Sequence, residues 1–168
     1  NTRVYAVTAT APARVPLSAT STYWYATMRP NANTTFTVTA RDVPGNARTV
    51  SATRRAAILA ETSAKRTGTW SARSGSAYLS SRTLASAKKG TKLTYTFTGR
   101  AAALLFARGP ATGRADVYLD GRKVATIDTR AGSNAYRQAV WVRSLTARKH
   151  TVTIVVAATK GRPTVVSD

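Results

Sequence analysis

The sequence predicts an all-β protein, and three observations lead to that fold class. Apolar and polar residues alternate with period two in many short runs, which is typical of half-buried strands. Turn residues separate these runs at intervals of roughly 8 to 12 positions. Apart from one short segment discussed below, no stretch shows the 3.6-residue period of an amphipathic helix. We therefore expect antiparallel sheets joined by hairpins and loops.

The firmest local prediction is a β-hairpin over residues 116–127. Val117 and Leu119 alternate with polar neighbours, and the return strand occupies residues 124–127. Between the two strands, Asp120 and Gly121 form a pair that adopts positive φ angles, as a two-residue hairpin turn requires. The two strands should therefore be antiparallel neighbours.

Two consecutive strands are predicted ahead of this hairpin. The first, LTYTFTG at residues 93–99, alternates and closes at Gly99. The second, AAALLF at residues 101–106, is an apolar run with the length of a buried strand. The loop that follows, residues 108–114, holds a proline between two glycines and is excluded as a helix.

Residues 1–53 are predicted as short strands separated by turns. The alternating run at 3–10 is the first strand, and two prolines within residues 11–16 interrupt it. A β-prone run at 17–28 follows.

Strands are also predicted at residues 34–40 and 49–52, with a turn between them. Residues 54–65 then join the first part to the rest and are predicted as a linker or a first strand. Within them AAILAE, residues 56–61, fits one helical turn or a strand, and the strand is favoured. The predicted domains are therefore 1–53 and 66–168.

The charge of the chain is strongly positive. Lys and Arg number 26 against 6 Asp and Glu, which gives a formal net charge of +20. The positive residues are spread along the chain rather than gathered in one tail, and such a surface attracts polyanions. Two interpretations remain open, a polyanion-binding surface or arginines that fill solvent positions without a binding role.

The residues that most catalytic sites require are scarce. With no cysteine and one histidine, a Cys–His pair is excluded and a Ser–His–Asp triad would have to use His150. His150 shares an inward strand face with Val152 and Ile154, which favours a hydrogen-bonded, part-buried histidine. Only Asp116 and Asp128 form a conceivable glycosidase pair. We therefore expect a noncatalytic protein.

Patterns for a metal ion, a cofactor or a membrane span are likewise missing from the sequence. It has no His-x-x-x-His motif, no carboxylate-rich loop and no phosphate loop, so no metal or cofactor is expected. The longest apolar runs fall short of the roughly 20 residues that cross a bilayer, so no membrane insertion is expected. The chain begins at Asn1 without a signal peptide, and we interpret it as a processed or excised piece.

The first part contains a strand that ends in a turn of fixed spacing. An alternating strand runs into Ala40-x-Asp42-x-x-Gly45-Asn46. This combination resembles the second half of a fibronectin type III or bacterial immunoglobulin-like domain, whose full length is about 100 residues. The resemblance covers residues 1–53 and lacks the first strands, so we expect an exposed edge that self-associates with another chain.

Residues 66–168 carry a second ordered set of features. They are Gly68, Trp70, residues 96–100, Gly113, residues 117–121, Asp128, residues 140–142, Leu145 and residues 150–154. Their order and spacing resemble the galactose-binding-like β-sandwich, a jelly roll common as an accessory module in secreted actinobacterial proteins. The resemblance implies a noncatalytic, secreted or cell-surface binding module, and it transfers a fold more safely than a ligand.

Three functions remain open for such a module. It binds a neutral glycan, or its basic face binds an anionic cell-wall polymer, or it is a structural spacer or self-assembly module of a cell-surface protein. Nucleic acid is disfavoured as a partner because the sequence shows neither a recognition helix nor an RNA-binding strand signature. Glycan or wall-polymer binding is the favoured hypothesis.

The candidate ligand-binding residues follow from alternation over residues 136–143. Arg137, Trp141 and Arg143 share one predicted face, and the two arginines indicate that this face is exposed. An aromatic ring between guanidinium groups suits an anionic sugar polymer, because it combines stacking with paired hydrogen bonds. The alternative is that Trp141 is tucked under a loop. A second candidate patch consists of Tyr23, Trp24 and Tyr25.

Overall fold

A computed structural model describes residues 4–10, 14–21, 23 and 28–168. Across these residues the chain forms β-strands and one short 3-10 turn, with no α-helix. The chain divides into two compact units, Asn1–Ile58 and Leu59–Asp168. The predicted all-β fold class is confirmed.

The first unit is a four-stranded antiparallel sheet. Its strands are β1 (Val4–Thr10), β2 (Arg14–Leu17), β3 (Asn33–Asp42) and β4 (Ala47–Arg55), in the spatial order β2-β1-β3-β4. The strands predicted at 34–40 and 49–52 lie within β3 and β4. The likeness of this unit to a fibronectin type III domain stays a prediction.

The first strand ends at Thr10, before the two prolines that were expected to interrupt it. Pro16 itself lies inside β2, where a proline is tolerated because β2 is an edge strand. One prediction for the first unit is wrong within the described residues. The strand predicted over residues 17–28 ends at Leu17, and residues 18–21 form a turn in which the Ser21 amide donates to the Ser18 carbonyl at 3.1 Å.

The turn between β3 and β4 shows why the Asp-x-x-Gly-Asn spacing is needed. Asp42 accepts the backbone amide of Asn46 at 2.8 Å and its side-chain amide at 3.0 Å. Gly45 has a φ of 97°, which is accessible to glycine at little cost. The turn thereby joins the two strands in register, and threonines of both strands contact each other across the pair, as Thr39 and Thr49 do at 2.8 Å between their hydroxyl oxygens.

The joining segment contains no strand at residues 56–61, so that prediction is wrong. The Ala56 carbonyl accepts the backbone amide of Asn31 at 2.7 Å, and the Ile58 amide donates to the Asn31 side chain at 2.9 Å. These backbone groups are therefore paired with a loop instead of a sheet. One 3-10 turn follows at Glu61–Ser63.

The second unit contains eight strands, and all their pairings are antiparallel. They are β5 (Lys65–Thr67), β6 (Ser71–Ser74), β7 (Arg82–Ser86), β8 (Lys92–Arg108), β9 (Arg114–Leu119), β10 (Arg122–Asp128), β11 (Ala135–Val156) and β12 (Val165–Ser167). The main path of the sheet is β10-β9-β11-β8-β12-β7-β6, and β5 pairs with β8.

Strands β8 and β11 each belong to both layers of a β-sandwich. The first half of β8 pairs with β5 and with the second half of β11, which also pairs with β9. The second half of β8 pairs with β12, which continues to β7 and β6. The register of β8 against β11 shifts between Ser144 and Arg148, where the strands pass from one layer to the other.

Residues 93–99 and 101–106, expected as two strands, form the single strand β8. Gly99 is paired with Arg148 in the ladder and does not adopt a positive φ. The strand therefore continues through this glycine. The antiparallel sandwich expected for residues 66–168 is confirmed.

The core lies between the two layers. One layer contributes buried residues such as Leu93, Val117 and Ile154, and the other contributes Leu84 and Phe106. Each of these five side chains is at most 1% exposed. Their burial supplies the main stabilisation of the unit, because each apolar side chain removed from water contributes about 1.5–3 kcal/mol.

The predicted hairpin is confirmed. Leu119 of β9 pairs with Arg122 of β10, and the two turn residues Asp120 and Gly121 have φ angles of 50° and 82°. Both φ angles are positive, as in a type I′ turn, whose twist matches that of the adjoining strands.

Candidate binding groove

Trp141 does not form an exposed binding platform. Its side chain is 8% exposed and belongs to the core cluster, whereas the neighbouring Val142 is 67% exposed. Arg137 has a φ of 54°, and the register of β11 against β8 shifts again between Ala139 and Trp141. These bulges invert the alternation on which the prediction rested, so the predicted exposure of Trp141 is wrong.

Arg137 holds a loop of its own unit. Its guanidinium donates to the carbonyl oxygens of Ser76 at 2.7 Å, Ala77 at 3.0 Å and Tyr78 at 3.1 Å. Its backbone amide donates to the Asp168 carboxylate at 2.7 Å. The guanidinium is therefore engaged in positioning residues 76–78.

The remaining predicted ligand-binding residues are distributed differently. Arg143 is exposed on β11, in register with Ala102 of β8. Tyr23 is 70% exposed in the first unit, and Trp24 and Tyr25 lie outside the described residues. Ligand binding by Arg143 and by Tyr23 stays a prediction.

A shallow groove crosses one outer face of the sandwich in the second unit. Its first half has a volume of about 330 Å³ and is lined by Thr69, Ser71, Ala85, Ser86 and Lys88, among others. Its second half has a volume of about 370 Å³ and is lined by Gly109, Pro110, Thr112, Asn134 and Val166, among others. Arg73 and Thr164 line both halves, so the two halves adjoin at these residues and are treated together as the groove.

The floor of the groove is set by small side chains on adjacent strands. Ala85 of β7 is in register with Val166 of β12, which is in register with Ala107 of β8. All three are buried, and Tyr78 packs against them. Ala85 lines the first half of the groove and Val166 lines the second, while Ala107 lies next to Val166 on the neighbouring strand.

The loop that bears Tyr78 is fixed from several sides. Tyr78 and Tyr136 contact each other edge to face, with ring centroids 5.4 Å apart. The Leu79 amide donates to the Asp168 carboxylate at 2.7 Å. Together with the hydrogen bonds from Arg137, these contacts hold an aromatic side chain beside the floor.

The loop end next to the groove contains a charge cluster around Asp128. Arg162 donates to both carboxylate oxygens at 2.8 and 2.9 Å, and Arg114 donates at 3.0 Å. The pKa of Asp128 is held far below its usual range, chiefly because Arg162 donates to the carboxylate. Arg162 also donates to the carbonyl of Thr112, which lines the groove, at 2.7 Å.

A second cluster ties the hairpin to β11. The Nδ1 atom of His150 lies 2.9 Å from the Asp120 carboxylate, and its Nε2 atom lies 2.9 Å from the Thr146 carbonyl oxygen. The carbonyl contact, with the carboxylate next in importance, raises the pKa of His150. Since both partners are acceptors, the arrangement favours the imidazolium, and the predicted hydrogen-bonded histidine is confirmed.

The aspartates are occupied by internal partners. Asp116 pairs with Lys123 at 2.8 Å, Asp120 with Arg148 at 3.0 Å, and Asp128 with its two arginines. Within the described parts of the chain, no group of three or more His, Cys, Asp or Glu residues is arranged to hold a metal ion. No helix among those residues is long and apolar enough to cross a membrane.

Solved structures resemble this chain at low sequence identity. A variant of exo-β-1,3-galactanase from Phanerochaete chrysosporium, solved with β-1,3-galactotriose, matches with a TM-score of 0.51 and 14% identity, covering 82% of this chain and 42% of that chain. The CBM36-1 domain of a multidomain xylanase from the hindgut metagenome of Trinervitermes trinervoides matches with a TM-score of 0.46 and 17% identity, covering 64% and 88%.

A carbohydrate-binding module CBM36, solved in complex with calcium and xylotriose, matches with a TM-score of 0.42 and 12% identity, covering 66% of this chain and 93% of that chain. No protein-family model and no curated protein matches the sequence. At these identities the likeness establishes a shared fold, for which the galactanase match is the argument, and this chain spans less than half of that enzyme.

Sequence reasoning missed the groove. The sequence predicts the loop at residues 108–114, but no sequence pattern marks Arg73, Asn134 or Thr164. They come from separate segments that only the folded sheet brings together.

Proposed function

We propose that this chain is a noncatalytic carbohydrate-binding module whose ligand occupies the groove. The observation that carries the proposal is the lining of the groove, in which hydroxyl and amide side chains surround a low floor. Thr69, Ser71, Thr164 and Asn134 offer both donors and acceptors to sugar hydroxyls. An open groove on a sheet face also accommodates a polymer chain, whose ends extend beyond it.

The absence of catalysis is part of the proposal. Asp116, Asp120 and Asp128 each form an ion pair, and the internal donors at Asp120 and Asp128 hold their pKa values low. A glycosidase instead needs a carboxyl whose pKa is raised so that it donates a proton. The carboxylates of this unit therefore suit structural roles.

An extracellular location fits the same proposal. Polysaccharides of cell walls are outside the cell, so a module that binds them is secreted or displayed at the surface. The shared fold with parts of carbohydrate-active proteins is in keeping with this location. A structural spacer or self-assembly module, with association through residues 1–53, is the alternative.

Affinity electrophoresis in gels that contain neutral or acidic wall polysaccharides tests the proposal. Ser71→Trp places a large side chain in the groove from the edge strand β6, and Ser74→Trp, an exposed position on the same strand outside the groove lining, is the matched control. We expect at least one polysaccharide to retard the wild type and the control but not Ser71→Trp.

Two results would contradict the proposal. Equal retardation of both variants would remove the groove as the site. No retardation of the wild type by any polysaccharide would remove the function itself and leave the spacer alternative.

A further inference from the structure

The charge of the groove is positive and uncompensated. Its lining includes Arg73 and Lys88 and, among the residues that the structure describes, no acidic residue. Within the part of the chain that the structure describes, neither side chain forms an ion pair or donates a hydrogen bond. Both are exposed, so both charged groups remain available to a ligand.

Arg73 has a central position. It lines both halves of the groove, whereas Lys88 lines the first half. Its strand, β6, is the edge of the sheet, and Arg73 is in register with the buried Thr83 of β7. The guanidinium therefore extends from a fixed backbone position beside the low floor, where a bound chain passes it.

The loop end adds to the positive charge. Asp128 is shared between Arg114 and Arg162, so one carboxylate faces two guanidiniums. Arg162 donates to the Thr112 carbonyl at 2.7 Å, and Thr112 lines the second half of the groove. The excess positive charge of this cluster therefore lies next to that half. The Lys88 end and the Thr112 end of the groove are both basic.

Of the described residues, no aromatic side chain lines the groove. A neutral sugar ring is therefore offered hydrogen bonds but no stacking surface by the residues that line the groove. Hydrogen bonds from charged donors are roughly twice as strong as those between neutral groups. Arg73 and Lys88 are the charged donors of the lining, and each attracts an anionic group more strongly than a neutral hydroxyl.

From these observations we infer that the groove takes an anionic polysaccharide, whose carboxylate or phosphate groups are bound by Arg73 and Lys88. The inference rests on the proposed function and specifies the class of glycan. Arginine suits both groups because its guanidinium donates two parallel hydrogen bonds to a carboxylate or a phosphate.

The test first compares two polymers that share a backbone and differ in charge, polygalacturonate and its fully methyl-esterified form. Poly(glycerol phosphate), whose backbone is different, is added as a polymer that carries phosphate instead of carboxylate. Binding of the full chain to each is measured by affinity electrophoresis at about 0.15 M salt, where exposed charges are screened beyond about 8 Å. We expect an acidic polymer to bind and the esterified polymer not to bind.

Arg73→Gln and Lys88→Gln, singly and together, identify the residues. Each removes a charge while keeping a polar side chain, and Arg100→Gln and Arg122→Gln are controls of equal charge change on exposed strand positions outside the groove. We expect Arg73→Gln to weaken binding about tenfold, the loss of one charged hydrogen bond, and the controls to change it less than about twofold.

The outcomes separate this inference from the proposed function. Equal binding of esterified and acidic polymer, blocked by Ser71→Trp but unchanged by Arg73→Gln, overturns the inference and leaves a neutral-glycan module. Equal losses from all four arginine and lysine variants overturn it in favour of diffuse charge. Stronger binding to double-stranded DNA than to every acidic polysaccharide, lost in Arg73→Gln, overturns the glycan class.

Discussion

Arg137 donates from its guanidinium to the carbonyl oxygen of Tyr78 at 3.1 Å, and so joins the start of β11 to the loop beside the groove. The same guanidinium holds two further carbonyls of that loop. An arginine expected to contact a ligand thus fixes the loop beside the groove.

Replacement of Arg137 by alanine removes these hydrogen bonds. We expect a loss of about 1–2 kcal/mol in the free energy of unfolding, at the lower end for charged hydrogen bonds because the side chain is exposed. Urea denaturation measures the loss, and hydrogen exchange should show faster exchange of the amides at residues 75–81. Arg143→Ala is the control, because the Arg143 side chain forms no hydrogen bond within the part of the chain that the structure describes. A similar loss in both variants would refute the positioning role.

Trp141 contributes to stability through burial. Trp141→Ala leaves a large cavity between the layers, and we expect it to cost about 3–5 kcal/mol. Val142→Ala is the matched control, since its side chain is largely exposed and should cost less than about 0.5 kcal/mol. Thermal unfolding of both variants measures the difference. If Trp141→Ala kept the stability of the wild type but lost polysaccharide binding, the result would instead support Trp141 as an exposed binding residue.

The His150–Asp120 pair makes stability depend on pH at neutral and alkaline values. The pKa of His150 is raised in the folded state, so its contribution is complete below the unfolded pKa of about 6.5 and is lost as pH rises through the folded pKa. We expect the urea midpoint to fall as pH increases above about 6.5. Asp120→Asn should flatten this part of the profile, and an unchanged profile would contradict the pairing.

Asp128 makes the stability of the protein depend on pH at acidic values. Its pKa is lowered in the folded state, chiefly by Arg162, so its contribution is present above the unfolded pKa of about 3.9 and is lost as pH falls through the folded pKa. We expect Asp128→Asn to be less stable than wild type at pH 6 and to lose less stability on acidification. The measurement is urea denaturation from pH 6 to pH 2. A variant with the wild-type acid slope would show that Asp128 is not the responsible carboxylate.

Features that depend on neighbouring residues were predictable from the sequence. The Asp120-Gly121 turn and the inward alternation of Val152 and Ile154 follow from local backbone preferences and from the two-residue period of a strand. The same rules give the all-β class and the inward histidine.

Features that depend on interruptions or distant partners were not predictable. The positive φ of Arg137 shifts the strand faces, and nothing in a run of ordinary strand residues indicates where such a bulge falls. Asn31 fixes the backbone around Ile58 across many intervening residues. The groove is also long-range, because Arg73 and Thr164 meet only after the sheet is complete.

The passage of β8 and β11 through both layers has a thermodynamic consequence. If one layer loses its order, the other loses two of its own strands and their shared ladder. Neither layer is therefore expected to persist alone, and the second unit should melt in a single cooperative transition. The ladder also joins chain segments far apart in sequence, such as Lys92 and Val155, so refolding waits for long-range contacts and should be slow for a domain of this size.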